Sequence, residues 1–132
     1  MEFRKLLDED YETLCDWWRW WRWTPVLKNS LPDSGKGGVM IQHEGVDVCA
    51  GFLYTTNSDL AYIEWTISNP NFRDKIVRKE AIRNLIETLT NQARELGCKF
   101  VFTYLVNESL KEKFEDCGFI HSNKPIEMIK KL

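Results

Sequence analysis

The period of the apolar positions changes several times along the chain, and each change marks an element. Residues 2–6, EFRKL, alternate and predict a short first strand. Asp8 then reads as a helix N-cap, with a helix running to about Trp21. On a wheel of about 100° per residue, Tyr11, Leu14, Trp18 and Trp21 fall within an arc of about 80°, a core-facing stripe. Trp17 flanks that stripe, Trp20 lies opposite Tyr11, and Trp23 lies past the helix end. The next segment, TPVLKNSLPDSGKGG, holds two prolines and three glycines and predicts a long irregular connection. Period two returns in VMIQHE and VDVCAGFLYTT, joined at Gly45 as a hairpin, and again in LAYIEWTIS, residues 60–68. The short links between these strands predict an antiparallel meander.

A helical period takes over from about Val77 to Leu96. Val77, Ala81, Leu85, Leu89 and Ala93 form one stripe, Ile82, Ile86 and Leu96 widen it, and Gly97 closes the helix. KFVFTYLV, residues 99–106, is a nearly unbroken apolar run and predicts a strand buried on both faces. ESLKEKFEDCGF predicts a short helix carrying Leu110, Phe114 and Cys117, closed by Gly118. The alternating PIEMIKKL, residues 125–132, predicts a last strand. The order β-α-loop-β-β-β-α-β-α-β describes one mixed α/β (α+β) domain over residues 1–132.

Composition narrows the classes of function. The chain is 43% hydrophobic and 29% charged with a net charge of −2, as expected of a globular protein without a clustered basic surface. Nucleic acid is therefore not an expected partner. No apolar run reaches membrane-spanning length, and the charged start MEFRKLLDEDYE lacks the apolar stretch of a secretory signal. A cytoplasmic protein without a membrane partner is expected. Cys15, Cys49, Cys98 and Cys117 form no C-x-x-C pair, and His43 and His121 lie far apart, so reduced thiols and no metal site are expected.

The candidate chemistry lies between Ala50 and Phe119. ISNPNFR ends a strand just before a helix, Asn107 ends the next strand, and FEDCGF ends a short helix. This arrangement resembles the GNAT acetyltransferases, in which a strand ends in V-x-P-x-(Y/F)-R, the next ends in Asn, and a short helix ends in G-F. The N-terminal half, with its Trp-rich helix, LPDSG, AGFLYTTNS and IEWTISNP, is similar to small phage-encoded acetyltransferase-like proteins.

The resemblance implies a GNAT-like central mixed, mostly antiparallel sheet flanked by helices. It also implies transfer of an acetyl group from acetyl-CoA to an amine, on a small molecule or a protein. The cofactor's pyrophosphate would meet the loop Arg73-Asp74-Lys75-Ile76-Val77-Arg78-Lys79, where backbone N–H groups open a helix. Ile76 and Arg78 stand where the family has glycine and glycine or alanine, and Asp74 adds a negative charge. Asn107 would meet the pantetheine, and the backbone of Trp65, Thr66 and Ile67 would bind the acetyl carbonyl. Glu64, between apolar neighbours on its strand, is the candidate base. Phe114 occupies the place of the family's tyrosine acid at the cofactor, which leaves Tyr104 as the candidate substitute. Trp17, Trp20 and Trp23 are candidates for contact with the acceptor, a second copy or a host protein. Two readings stay open: an N-acetyltransferase, or a non-catalytic GNAT-like binding module, of a phage-effector or protein-interaction kind, with a degenerate CoA site.

Overall fold

The computed structural model describes residues 1–121 and 125–132. Five strands form one sheet: β1 (Glu2–Lys5), β2 (Gly38–His43), β3 (Val46–Thr55), β4 (Leu60–Ser68) and β5 (Phe100–Phe102), in the spatial order β1-β2-β3-β4-β5. The first four run antiparallel, and β5 joins β4 in parallel. Helices α1 (Asp10–Trp20), α2 (Lys75–Glu95) and α3 (Glu108–Asp116) complete the layers, with a 3₁₀ turn at Lys28–Ser30 and a tight turn at Pro32–Gly35 in the long connection. The β2–β3 hairpin turns through Glu44 and Gly45, both at positive φ (50° and 79°), the backbone that a two-residue hairpin loop requires.

α2 lies on one face of the sheet. Its stripe of Ala81, Ile82, Leu85, Ile86, Leu89 and Ala93 is buried against Val39, Ile41, Val48, Leu53, Ala61 and Ile63. Each large aliphatic side chain in that layer stabilises the fold by about 1.5–3 kcal/mol. α1 covers the other face with Leu14, Trp17 and Trp18, against Met40, Ala50, Phe52 and Ile67. Among the described residues this second layer reaches β2, β3 and the far end of β4 and does not extend to β5.

Four expectations change. Asp8 does not cap α1: it pairs with Lys28 at 2.7 Å, and the helix starts at Asp10. Asp10 instead accepts the Leu7 N–H at 2.7 Å and is gripped by Arg4 at 2.7 and 3.0 Å. Trp21 is not core, because α1 stops at Trp20 and Arg22, at φ 64°, turns the chain away. The 99–106 run is not a strand buried on both faces: among the described residues only Phe100–Phe102 pairs, no helix covers β5 on the α1 side, and Phe100 and Phe102 are exposed. Residues 125–132 form no strand and are exposed throughout.

Candidate functional site

The site begins with a break in the β3–β4 ladder. Phe52 pairs with Glu64, but Ala50 pairs with Ile67, so Gly51 faces two residues, Trp65 and Thr66. The bulge puts Trp65 at φ 61°, a left-handed backbone that costs an aromatic residue about 1 kcal/mol or more. Hydrogen bonds hold the indole in place: Nε1 donates to the Tyr54 hydroxyl at 2.8 Å, which donates to the Ser30 carbonyl at 2.7 Å. Gly51 fits the close approach, since a Cβ there would lie 3.3 Å from both the Leu85 side chain and the Thr66 hydroxyl.

On its other side β4 loses its partner. The parallel register with β5 runs from Leu60↔Phe100 to Tyr62↔Phe102 and stops. Two side-chain bridges then span the fork. The Thr103 hydroxyl donates to the Ile63 carbonyl at 2.6 Å, and the Tyr104 N–H donates to Glu64 Oε1 at 3.1 Å. Glu64 thus sits at the point where the strands part, one residue before the bulge. Burial pushes its pKa up to about 7; the Tyr104 N–H opposes this and the charge of Glu127 adds to it. Two residues before it, Tyr62 lies 5.6 Å from Phe102, and 6.2 Å from Tyr104 in a near-parallel stack. The Tyr104 ring is exposed. Two surface depressions of about 310 and 260 Å³ lie elsewhere, at the β2–β3 hairpin and beside α2.

The 73–79 segment is less available than its place suggests. Asp74 caps α2: its carboxylate accepts from the Ile76 and Val77 N–H groups, both at 3.1 Å. Those are two of the groups an anion at this helix start would take. Ile76 projects into solvent, and the Arg78 guanidinium donates to the Phe72 carbonyl at 3.3 Å. Arg73, Lys75 and Lys79 are exposed. A positive cluster compensates in part. Burial first, then the charges of Arg78, Lys79 and Arg83, hold the Lys113 ammonium below its usual pKa. Lys113 marks where α3 brings a cation to the start of α2.

Asn107 is the N-cap of α3, its side-chain oxygen accepting the Leu110 N–H at 3.1 Å. Phe114 does not face the fork. It is 2% exposed, in the α2-side core, edge-on to Phe119 at 5.0 Å, and has no surface to offer a ligand. Of the tryptophan candidates, Trp17 is buried in the α1 core and Trp23 packs against the same layer. Trp20 is 59% exposed and lies edge-to-face with Trp21 at 4.7 Å. Trp21 donates to the Ser68 carbonyl at 2.9 Å, pinning the end of α1 to the end of β4. Tyr54, Phe102, Thr103 and Lys113 complete the surroundings and escaped the sequence reading. Tyr62, two residues before Glu64, was readable from strand alternation, whereas Lys113 required the docking of α3. Among the described residues no cluster of three His, Cys, Asp or Glu could hold a metal ion, and no helix is long and apolar enough to cross a membrane.

The forked, mostly antiparallel sheet with its bulged β4 and flanking helices is the GNAT acetyltransferase fold. Similar solved structures include a Mycobacterium tuberculosis protein in complex with CoA, at TM-score 0.70 and 18% identity, covering 96% of this chain and 76% of that one. Glucosamine-6-phosphate N-acetyltransferase from Arabidopsis thaliana aligns at TM-score 0.64 and 21% identity, over 98% and 97% of the two chains. N-acetylglutamate synthase from Neisseria gonorrhoeae, complexed with coenzyme A and L-arginine, aligns at 0.63 and 18% over 92% of this chain and 28% of that one. No protein-family model and no curated protein matches the chain.

Proposed function

We propose that the protein is an N-acetyltransferase, moving an acetyl group from acetyl-CoA to an amine by direct attack in a ternary complex. The observation that carries this reading is Glu64, a carboxylate with a pKa of about 7 at the strand fork, next to a strained bulge. Acetyl-CoA supplies an acetyl thioester, whose thiol leaving group has a pKa of about 8.5. Glu64 accepts the proton of the attacking amine, directly or through a water. The backbone from Trp65 to Ile67 has no strand on its β5 side and would bond the acetyl carbonyl and pantetheine as a sheet edge does. Arg73, Lys75, Arg78, Lys79 and Lys113 fit an anionic cofactor, and the Asn107 amide nitrogen would meet the pantetheine. Tyr104, whose N–H already holds Glu64 and whose ring is exposed, is the candidate to protonate the departing sulfur. Trp20 is the exposed ring left to meet an acceptor or a protein partner.

One observation favours a second reading, a non-catalytic binding module. Asp74 already occupies two N–H groups at the start of α2. Calorimetric titration with acetyl-CoA separates the two. The enzyme reading expects micromolar binding that weakens about tenfold in Arg73→Ala, one charge-assisted contact's worth. Absence of binding at millimolar cofactor would sink it.

A further inference from the structure

The face of the sheet opposite α2 carries a row of aromatic rings. Tyr54 pairs with Tyr62 across β3 and β4, and Tyr62 pairs with Phe102 across β4 and β5, so the three side chains share one face. Phe52, the partner of Glu64, is buried in the α1 layer, which puts Glu64 on that face too. The Tyr62 ring lies 5.6 Å from Phe102 and 6.2 Å from Tyr104, and Phe102 and Tyr104 are 46% and 59% exposed. At the other end of the row the Trp65 indole donates to the Tyr54 hydroxyl at 2.8 Å. Trp65 keeps its φ of 61° there, and backbone strain held by an anchored side chain points to a use for that side chain. α2, whose start carries the basic residues assigned to the cofactor, lies on the opposite face. An acceptor therefore reaches Glu64 from the side of the rings. Charge narrows its chemistry. Among the described residues that β4 and β5 turn to this face, Glu64 is the only charged one. A carboxylate draws an ammonium group, and an aromatic face takes a cation or a second ring. A further ammonium, a carboxylate or a phosphate on the acceptor would meet no partner on these strands.

We propose that the acceptor is an aromatic monoamine, with its amine at Glu64 and its ring on Tyr62 and Phe102. This rests on the acetyl-transfer reading above and gives that reading a substrate class. Tyr62 and Glu64 are two positions apart on one strand face, about 7 Å, which suits a ring and an amine joined by a short carbon linker. The amine arrives as an ammonium ion and gives one proton to solvent. Its nitrogen then bonds to the acetyl carbonyl carbon, and the carbon–sulfur bond breaks. A second proton passes from the nitrogen to Glu64, and the CoA sulfur leaves with the electron pair and is protonated to the thiol. The products are the N-acetyl amine and CoA.

The test gives the full chain acetyl-CoA and, in turn, phenethylamine, spermidine, glucosamine 6-phosphate and a lysine peptide. CoA release is followed with a thiol reagent and the product by mass, with acetyl-CoA binding measured separately by calorimetry. Phenethylamine is expected to exceed each of the others in kcat/KM by about tenfold or more. Tyr62→Ala and Phe102→Ala should each lower its kcat/KM about tenfold, through KM, with acetyl-CoA affinity unchanged, and Tyr62→Phe should restore the parent's KM. Phe102 is exposed, so its variant serves even where Tyr62→Ala fails to fold. Equal or faster turnover of a polar amine, or an unchanged KM in Phe102→Ala, overturns the proposal and leaves the acetyl-transfer reading standing. Acetyl-CoA binding with no amine of the four consumed overturns it as well. So does a dimer by light scattering that Phe102→Ala returns to monomer, since the rings would then belong to a second copy. If acetyl-CoA does not bind at all, the acetyl-transfer reading falls first and this inference with it.

Discussion

Glu64 is where residue-level chemistry concentrates. A carboxylate between apolar neighbours on a strand faces a desolvation cost, and here burial raises its pKa to about 7 while a single backbone N–H, from Tyr104, partly restores the charged form. A base must be unprotonated to work. The rate of acetyl transfer, kcat/KM, is therefore expected to rise with pH through about 7 and then level off. Glu64→Gln should lose about a hundredfold in rate and lose that rise. Stability carries the opposite sign. Between the ordinary value of 4.5 and about 7 the folded chain binds more protons at Glu64 than the unfolded chain does, so stability declines as pH climbs through that window. Glu64→Gln removes the decline, and its urea midpoint above pH 7 should exceed the parent's. A lower midpoint there would show that the carboxylate stabilises the fold instead of burdening it. The residue was legible in the sequence as an isolated acid on an apolar strand. Its partners were not, since Tyr104 lies forty positions away.

At the scale of elements, the helix α3 shows how a correct element can carry a different side-chain role. Its end follows from Gly118, readable in sequence, and its start from Asn107, which the sequence placed at a strand end and the structure makes the helix cap. Phe114, at the position where the family resemblance implies a tyrosine, points into the α2-side core and packs on Phe119. Phe114→Tyr therefore buries a hydroxyl without a partner. Urea unfolding should show a loss of about 1–3 kcal/mol, with no gain in acetyl transfer. A gain in rate would place this ring at the sulfur after all. The helix α1 gives the complementary case. A wheel at a constant angle puts Trp21 in the core, but the angle holds only while the helix lasts. Once Arg22 adopts a left-handed backbone, Trp21 swings out against Ser68 and Trp23 folds back onto the α1 layer.

At the scale of the whole molecule, one ion cluster ties the first strand to the rest. Arg4 grips Asp10 with both guanidinium arms and also reaches Asp47 at 3.2 Å, linking β1, α1 and β3. The Arg4 hydrogen bond, helped by the Leu7 N–H, holds the Asp10 carboxyl below the usual range. Its contribution is thus complete above the unfolded value of about 3.9 and is lost as pH falls through the folded value. Asp10→Asn should cost about 2–3 kcal/mol near neutral pH, somewhat less than a fully buried pair, and the gap to the parent should close in acid. Equal urea midpoints at neutral pH would remove the cluster from the stability of the fold. By itself the sequence determined the three helices, the first four strands and their antiparallel order, because a period of two or 3.6 and a turn at Glu44 and Gly45 are written in neighbouring residues, whereas the expected strand over 125–132 does not form. Glu64 stands out locally as an acid on an apolar strand, while Asn107 and the basic residues after Phe72 could be named only through the family resemblance. Only the tertiary structure decided that β4 bulges opposite Gly51, that β5 forks away at Tyr62, that Asp74 turns its carboxylate onto its own helix, and that Lys113 joins Arg78 and Lys79. Most of these join residues distant in the chain, and the Asp74 cap depends on a rotamer. Packing and hydrogen bonding choose among such arrangements only once the layers have met.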